Sequence, residues 1–278
     1  MSKLQPEEFL VWCAYVKTLT GIVIDSSKGY LIENRLSPLA EKLGCTTFQE
    51  LYYKVRSDAT RALEQTVVDL ISTGETQFFR DQFPFDLLKV KLLPEMIARK
   101  RELSPQGKLS IRIWSAACAS GQEVYSIAMV LKEVLPDIHK HDVSILGTDI
   151  SDLALARAAG GVYNAIEVER GLSKKRLEHH FVHSAGAWTV SPELRSLATF
   201  KKLNLLEDFS RQGTFDLVFC RNVAIYFSES DRQGLFTRMG KALNANGVLI
   251  VGSTELVTLA SSQFVSKTHD RAVYYQNK

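Results

Sequence analysis

Beyond about residue 108 the chain switches repeatedly between two hydrophobic periods, and this switching leaves few folds open. The runs "LSIRIW", "VSILGTDI", "FDLVFC" and "GVLIVGS" are short and apolar, and several are followed by helical patterns such as "EVYSIAMVLKEVL" and "SDLALARAA". Short apolar strands separated by helices predict an α/β architecture, a mostly parallel, doubly wound sheet with helices on both faces. Near the end, "FVSKT" and "AVYYQ", separated by "HDR", read as a closing antiparallel hairpin. Between Glu7 and about Leu70 the period is helical throughout, with Phe9, Leu10, Trp12 and Cys13, and later Leu63, Val67, Val68 and Leu70, at three- and four-residue spacings. An all-α N-terminal domain therefore precedes the sheet, and "SPQG" (104–107), after the basic helix end "ARKRE", marks the break.

Composition narrows the function classes. With 34 basic and 31 acidic residues the net charge is only +3, which gives no electrostatic case for nucleic acid or an anionic membrane. No apolar run approaches the roughly 20 residues that span a bilayer, so no membrane insertion is expected. The opening "MSKLQPEEFLVW" carries Glu7 and Glu8 where a secretory signal needs an apolar stretch, which predicts a cytoplasmic chain. The 4 cysteines are scattered without a C-x-x-C, so neither a disulfide framework nor a zinc site is expected. His179, His180 and His183 include a pair four apart, but with no carboxylate or cysteine partner nearby they read as surface or core residues.

In a doubly wound sheet, ligands bind beyond the carboxyl ends of the strands. One such end is "WSAACASGQEVYSIA", where Ala116, Ala117, Cys118, Ala119, Ser120 and Gly121 keep the backbone nearly free of bulk before a helix begins near Glu123. A ligand lying there would meet backbone N–H groups at a helix N-terminus. The turn lacks the G-x-G-x-x-G of a dinucleotide site and the Gly-Lys-Ser/Thr of a P-loop. The next strand ends in Asp149, placed as such folds place a carboxylate for ribose hydroxyls. A nucleoside without phosphates fits this pair better than a dinucleotide, and S-adenosylmethionine is the common one; the closing hairpin agrees.

Five motifs in order, "STGETQFFRD" (72–81), "AACASGQEVYSIAM" (116–129), "GTDIS" (147–151), "NLL" (204–206) and "FDLVFCRNVAIYF" (215–227), make the chain resemble the CheR-type protein-glutamate O-methyltransferases of chemotaxis receptors. The resemblance covers nearly the whole chain. It implies S-adenosylmethionine as cofactor, S-adenosylhomocysteine as product and no metal. The implied partner is the cytoplasmic helical region of a methyl-accepting chemoreceptor, met by a monomer. It divides the chain into a helical substrate-recognition domain (1–72), a linker contributing to the cofactor site (73–108) and a methyltransferase domain (109–278) with a small inserted β-subdomain at about 181–200. On this division the helical domain selects the protein substrate and adds little to cofactor affinity.

Carried over residue by residue, the resemblance gives Glu123 the amino group of the methionine part and Asp149 the ribose. Asn204 and Leu205 form the adenine edge, and Arg221 and Asn222 line the other side. Thr76 and Arg80 close over the cofactor, while Ala116 opens the small-residue turn. Gly74, where chemotaxis members often carry Asn, has only backbone to offer the same site. A glutamate acceptor is ionised near neutral pH, with a reference pKa of about 4.3, so no general base is required. Positioning and desolvation should carry the rate. Tyr226 is the candidate for orienting the acceptor carboxylate, with Arg80 steering its charge. Phe78 and Phe79, and likewise Cys118 and Cys220, read as packing residues.

The second N-terminal helix, "ENRLSPLAEKLG", keeps Arg35 but interrupts the basic face of chemotaxis members with Pro38 and Glu41. A CheR-like enzyme acting on another protein or a small carboxylate is therefore an alternative, as is a non-catalytic S-adenosylmethionine-binding module. In the subdomain the turn from Ser184 to Ala187 is brief, whereas members that dock a receptor tail peptide tend to have a longer loop there. This predicts recognition of the methylated helix without a tail-peptide tether.

Overall fold

The computed structural model describes residues 2–103, 107–257 and 263–278. The N-terminal region forms four helices, α1 (Pro6–Thr20), α2 (Gly29–Lys42), α3 (Phe48–Ser57) and α4 (Ala62–Ile71). They enclose their own core around Trp12, Phe48, Ile32 and Leu36. Pro38 lies within α2 without ending it. Arg35 is not held free for a partner: its guanidinium donates to the carbonyls of Leu70 and Ile71 and to Thr73 Oγ1, capping the end of α4.

The segment expected to be a linker is structured. Helix α5 (Phe83–Leu87) runs through a wider π-helical turn (Leu88–Leu92) into α6 (Leu93–Leu103), and Phe85, Leu88, Leu92 and Met96 join the main core. Its apolar residues recur at helical spacing and need the sheet to cover them, so 83–103 belongs to the sheet domain. Of the expected break at 104–107, residues 104–106 lie outside the described residues.

The large sheet has the order β6-β2-β1-β7-β8-β10-β9, built from β1 (Ser110–Ala116), β2 (Asp142–Asp149), β6 (Ala198–Lys202), β7 (Phe215–Cys220), β8 (Leu243–Val251), β9 (Phe264–His269) and β10 (Ala272–Asn277). β6, β2, β1, β7 and β8 run parallel, and the β9–β10 hairpin closes the sheet antiparallel. β1 and β2 are followed by α7 (Gln122–Val134) and α8 (Asp152–Gly160).

A second sheet of order β3-β5-β4 combines β3 (Val162–Tyr163), β4 (Phe181–Ser184) and β5 (Ala187–Val190). The subdomain therefore does not occupy 181–200 as expected. It draws in Val162 and Tyr163, a strand too short to show any period in sequence, and it ends before β6. Ala198 to Lys202 pair in register with Ile145 to Asp149 of β2 and belong to the large sheet.

Candidate functional site

The six small residues after β1 are explained by local geometry. Ala117 (φ 59), Ala119 (φ 47) and Gly121 (φ 90) all adopt left-handed backbone, which bulky or β-branched residues rarely tolerate. At Gly121 a Cβ would also lie 2.9 Å from Ala158 Cβ and 3.2 Å from the Tyr163 hydroxyl, so only glycine fits. The Tyr163 hydroxyl donates to Ser120 O at 2.7 Å, tying the turn to the small sheet. The turn is thus folded tightly enough for Ala117, Cys118 and Ala119 to present backbone and methyl surface to a cavity of about 920 Å³, open mouth included. That volume suits a ligand of nucleoside size or somewhat larger.

Two carboxylates face this cavity from adjoining strand ends. Asp149, last in β2, accepts hydrogen bonds from Ala119 N at 2.9 Å and Ser151 N at 3.0 Å. Burial pushes its carboxyl above the usual range, against the lowering by those N–H donors. Glu123, in the first turn of α7, accepts from Ser115 Oγ at 2.8 Å and from Arg221 Nη1 at 2.9 Å. A carboxylate has about four acceptor positions, so each retains capacity for donors on a ligand. This donor-poor, acceptor-rich pair fits the hydroxyl and ammonium groups of an aminoacyl nucleoside such as S-adenosylmethionine.

Arg221 is a strut. Its side chain is 2% exposed and joins Glu123 to Asp81 Oδ2 at 2.7 Å and to the carbonyl of Arg80 at 2.8 Å. Arg221 lines the cavity as expected, and its Nη1 and Nη2 also fix Glu123 and anchor the 76–82 segment. Phe79, Asp81 and Gln82 in that segment all have positive φ, a concentration of strain that needs such anchoring. Phe78 and Phe79 are buried in the main core. Thr76 and Arg80 line the cavity, with Arg80 Nη1 held on Glu75 O at 2.9 Å.

The remaining expected residues divide. Leu205, Asn222 and Tyr226 line the cavity, and the Tyr226 hydroxyl has no hydrogen-bond partner among the described residues. Asn204 also lines it, with its amide partly engaged: Nδ2 donates to Leu19 O at 3.0 Å and Oδ1 accepts from Leu206 N at 3.0 Å. Ala116 is buried beneath the turn, and Gly74 is exposed; the lining is formed by their neighbours instead. Cys118 and Cys220 are buried, and burial raises both thiols well above their ordinary value, so neither offers a thiolate. His179 and His180 end a short helix while His183 lies on β4, and burial lowers His180 to about 4. No cluster of His, Cys, Asp or Glu able to hold a metal occurs among the described residues.

Sequence reasoning missed the far wall. Thr20 and Ile22, at and just past the end of α1, line the same cavity. The helical domain is fixed there by Val23 N donating to Tyr226 O at 2.8 Å, and by Ser151 Oγ donating to Asp69 at 2.7 Å. No local pattern signals these contacts, because each joins positions more than 80 residues apart. Asp81 ends the motif at 72–81, and its acidic side chain beside Arg80 is the sequence signal of its pairing with Arg221.

Known proteins match the chain over nearly its whole length. The CheR methyltransferase all-alpha domain matches residues 7–72, and the CheR methyltransferase SAM binding domain matches residues 74–273. Chemotaxis protein methyltransferase 1 of Pseudomonas aeruginosa is 38% identical over 253 residues, covering 89% of this chain and 89% of the relative. Chemotaxis protein methyltransferase 1 of Vibrio cholerae is 37% identical, covering 99% of this chain and 98% of its own. Chemotaxis protein methyltransferase Cher2 of Pseudomonas putida is 35% identical, covering 98% and 97%. With both family domains matched in order and relatives aligned nearly end to end, the chain belongs to the CheR methyltransferase family.

Proposed function

We propose that this chain is an S-adenosylmethionine-dependent protein-glutamate O-methyltransferase whose substrate is the cytoplasmic helical region of a methyl-accepting chemoreceptor. The observation that carries the reading is the cavity at the sheet's carboxyl ends, with Asp149 and Glu123 on one wall and the free Tyr226 hydroxyl on another. The names of the relatives supply chemotaxis, and the receptor is what the family resemblance implies. When bound, the cofactor supplies a methyl group on a positively charged sulfur.

The chain's own residues then have a limited task. Asp149 holds the ribose hydroxyls, and Glu123, oriented by Ser115 and Arg221, holds the amino group. Leu205 packs on the base, which is read by backbone near Asn204, whose side chain is held in place by Leu19 and Leu206. A glutamate acceptor arrives ionised, so the chain need hold no proton for it. Tyr226 donates its hydroxyl to one carboxylate oxygen, Arg80 draws the anion toward the mouth, and the apolar lining removes water. The alternative of a non-catalytic binding module leaves the Tyr226 hydroxyl without a purpose.

Recognition is direct, without a tail-peptide tether. β4 and β5 are joined by a tight turn, Ala185 (φ 50) and Gly186 (φ 76), between the paired residues Ser184 and Ala187. So short a turn offers little surface to hold a tethering peptide. Incubating the chain with radiolabelled S-adenosylmethionine and receptor-containing membranes tests the whole reading. Label on the receptor, released as methanol by mild base, is the expected result; base-stable label or none would reject a glutamate ester. Micromolar binding of a receptor tail pentapeptide would reject the tether-free mode alone.

A further inference from the structure

The loop that carries Arg221, Asn222 and Tyr226 is held from behind by Glu255, which is 5% exposed and lies just past the end of β8. Its Oε2 accepts hydrogen bonds from Asn222 N at 2.7 Å and Gly252 N at 2.7 Å. Its Oε1 accepts from Val223 N at 3.1 Å and Ile225 N at 3.3 Å. All of the roughly four acceptor positions of the carboxylate are thereby spent on backbone at the carboxyl ends of β7 and β8. The fit is close from both sides. Asn222 is held at φ 58, a conformation a non-glycine residue keeps only where its surroundings impose it. At Gly252, a Cβ would lie 2.6 Å from Glu255 Oε2 and 3.0 Å from Asn222 Nδ2.

We propose that Glu255 is a positioning residue for methyl transfer: it fixes the 221–226 loop from outside the cavity, and through the loop the place of the Tyr226 hydroxyl on the acceptor side. The proposal rests on the reading of Tyr226 given above. A carboxylate suits the task because only acceptors face the converging N–H groups. An amide of the same shape would turn donors toward some of them.

In the full chain, Glu255→Gln should lower kcat at least about 30-fold while changing S-adenosylhomocysteine affinity less than about 5-fold, since Glu255 holds the backbone of 222, 223 and 225, whereas the Arg221 guanidinium that orients Glu123 is anchored on its own by Asp81 and Arg80 O. Gly252→Ala, which crowds the same contact from the other side, should give the same split and decides the matter if Glu255→Gln does not fold. In a Tyr226→Phe background, Glu255→Gln should cost less than about 3-fold more, because both changes act through one group. Should Tyr226→Phe alone leave kcat unchanged, the role of Tyr226 falls, and Glu255 is still judged by the split between affinity and turnover. Should the wild-type chain fail to methylate receptors, the functional reading falls, and faster amide exchange confined to 221–226 at unchanged affinity decides for Glu255. Wild-type turnover in both folded variants, affinity and turnover falling together, or unchanged loop exchange overturns the proposal.

Discussion

The two walls of the cavity were built by different means. The wall at the strand ends is local: a turn of small residues, a carboxylate ending β2 and a carboxylate opening α7 lie where the parallel sheet places them. The opposite wall is assembled from α1, the 76–82 segment and the loop after β7, brought together over long separations by the Arg221 ion pairs and by contacts such as Val23 with Tyr226. The difference teaches where binding and fold stability are coupled. On the first wall, removing a side chain costs the ligand and the local bonds it makes, such as those that Asp149 accepts from Ala119 and Ser151. On the second, removal loosens contacts that hold segments distant in sequence together.

Substitution of Arg221 should have the largest effect. Arg221→Met leaves the Glu123 carboxylate, 13% exposed, without its cation and frees the strained segment at Asp81. Breaking such a pair costs about 3–5 kcal/mol, read as a lower urea midpoint. Unchanged stability with weakened S-adenosylhomocysteine binding would instead make Arg221 a direct ligand. Asp149→Ala, on the first wall, should weaken that binding by roughly 1.5–3 kcal/mol in calorimetry, the worth of hydrogen bonds to a charged acceptor. Unchanged affinity would remove Asp149 from the ribose site.

Asn204 separates the two walls most sharply, since it was expected on one and is bonded to the other. Asn204→Ala should lower stability by about 1 kcal/mol through the lost contact with Leu19. Adenine selectivity should be retained, and a variant of normal stability that no longer distinguishes adenine would restore the original assignment.

The smallest effect on ligand binding lies away from both walls. Burial alone would raise the Glu133 carboxyl, but hydrogen bonds and charge from Arg176 and Lys89 outweigh it and hold the group at about 2. A depressed carboxylate contributes stability that is present above its unfolded value, about 4.3, and is lost as pH falls toward 2. Glu133→Gln should therefore flatten the acid limb of the stability curve between those values without altering cofactor binding at neutral pH.

What could be read in the sequence follows the same division. Asp149 could be placed from sequence because a carboxylate at a strand end has a meaning fixed by sheet topology, whereas Glu123 was marked by the 116–129 motif and its resemblance to the family. Thr20 and Ile22 were not, since nothing in "TLTGIVI" distinguishes an exposed helix end from a cavity wall. The motif around Arg221 marked an important residue, but not that its guanidinium would turn toward Glu123 and Asp81. Helices α5 and α6 were passed over as a linker because their apolar faces acquire meaning only against the sheet.

The claim that both walls meet one ligand is most directly tested by hydrogen exchange with and without S-adenosylhomocysteine. Slower exchange is expected at 117–123 and 149–151 and, in the same titration, at 20–24 and 76–82. Protection confined to the strand ends, with the end of α1 unchanged at saturating ligand, would contradict it.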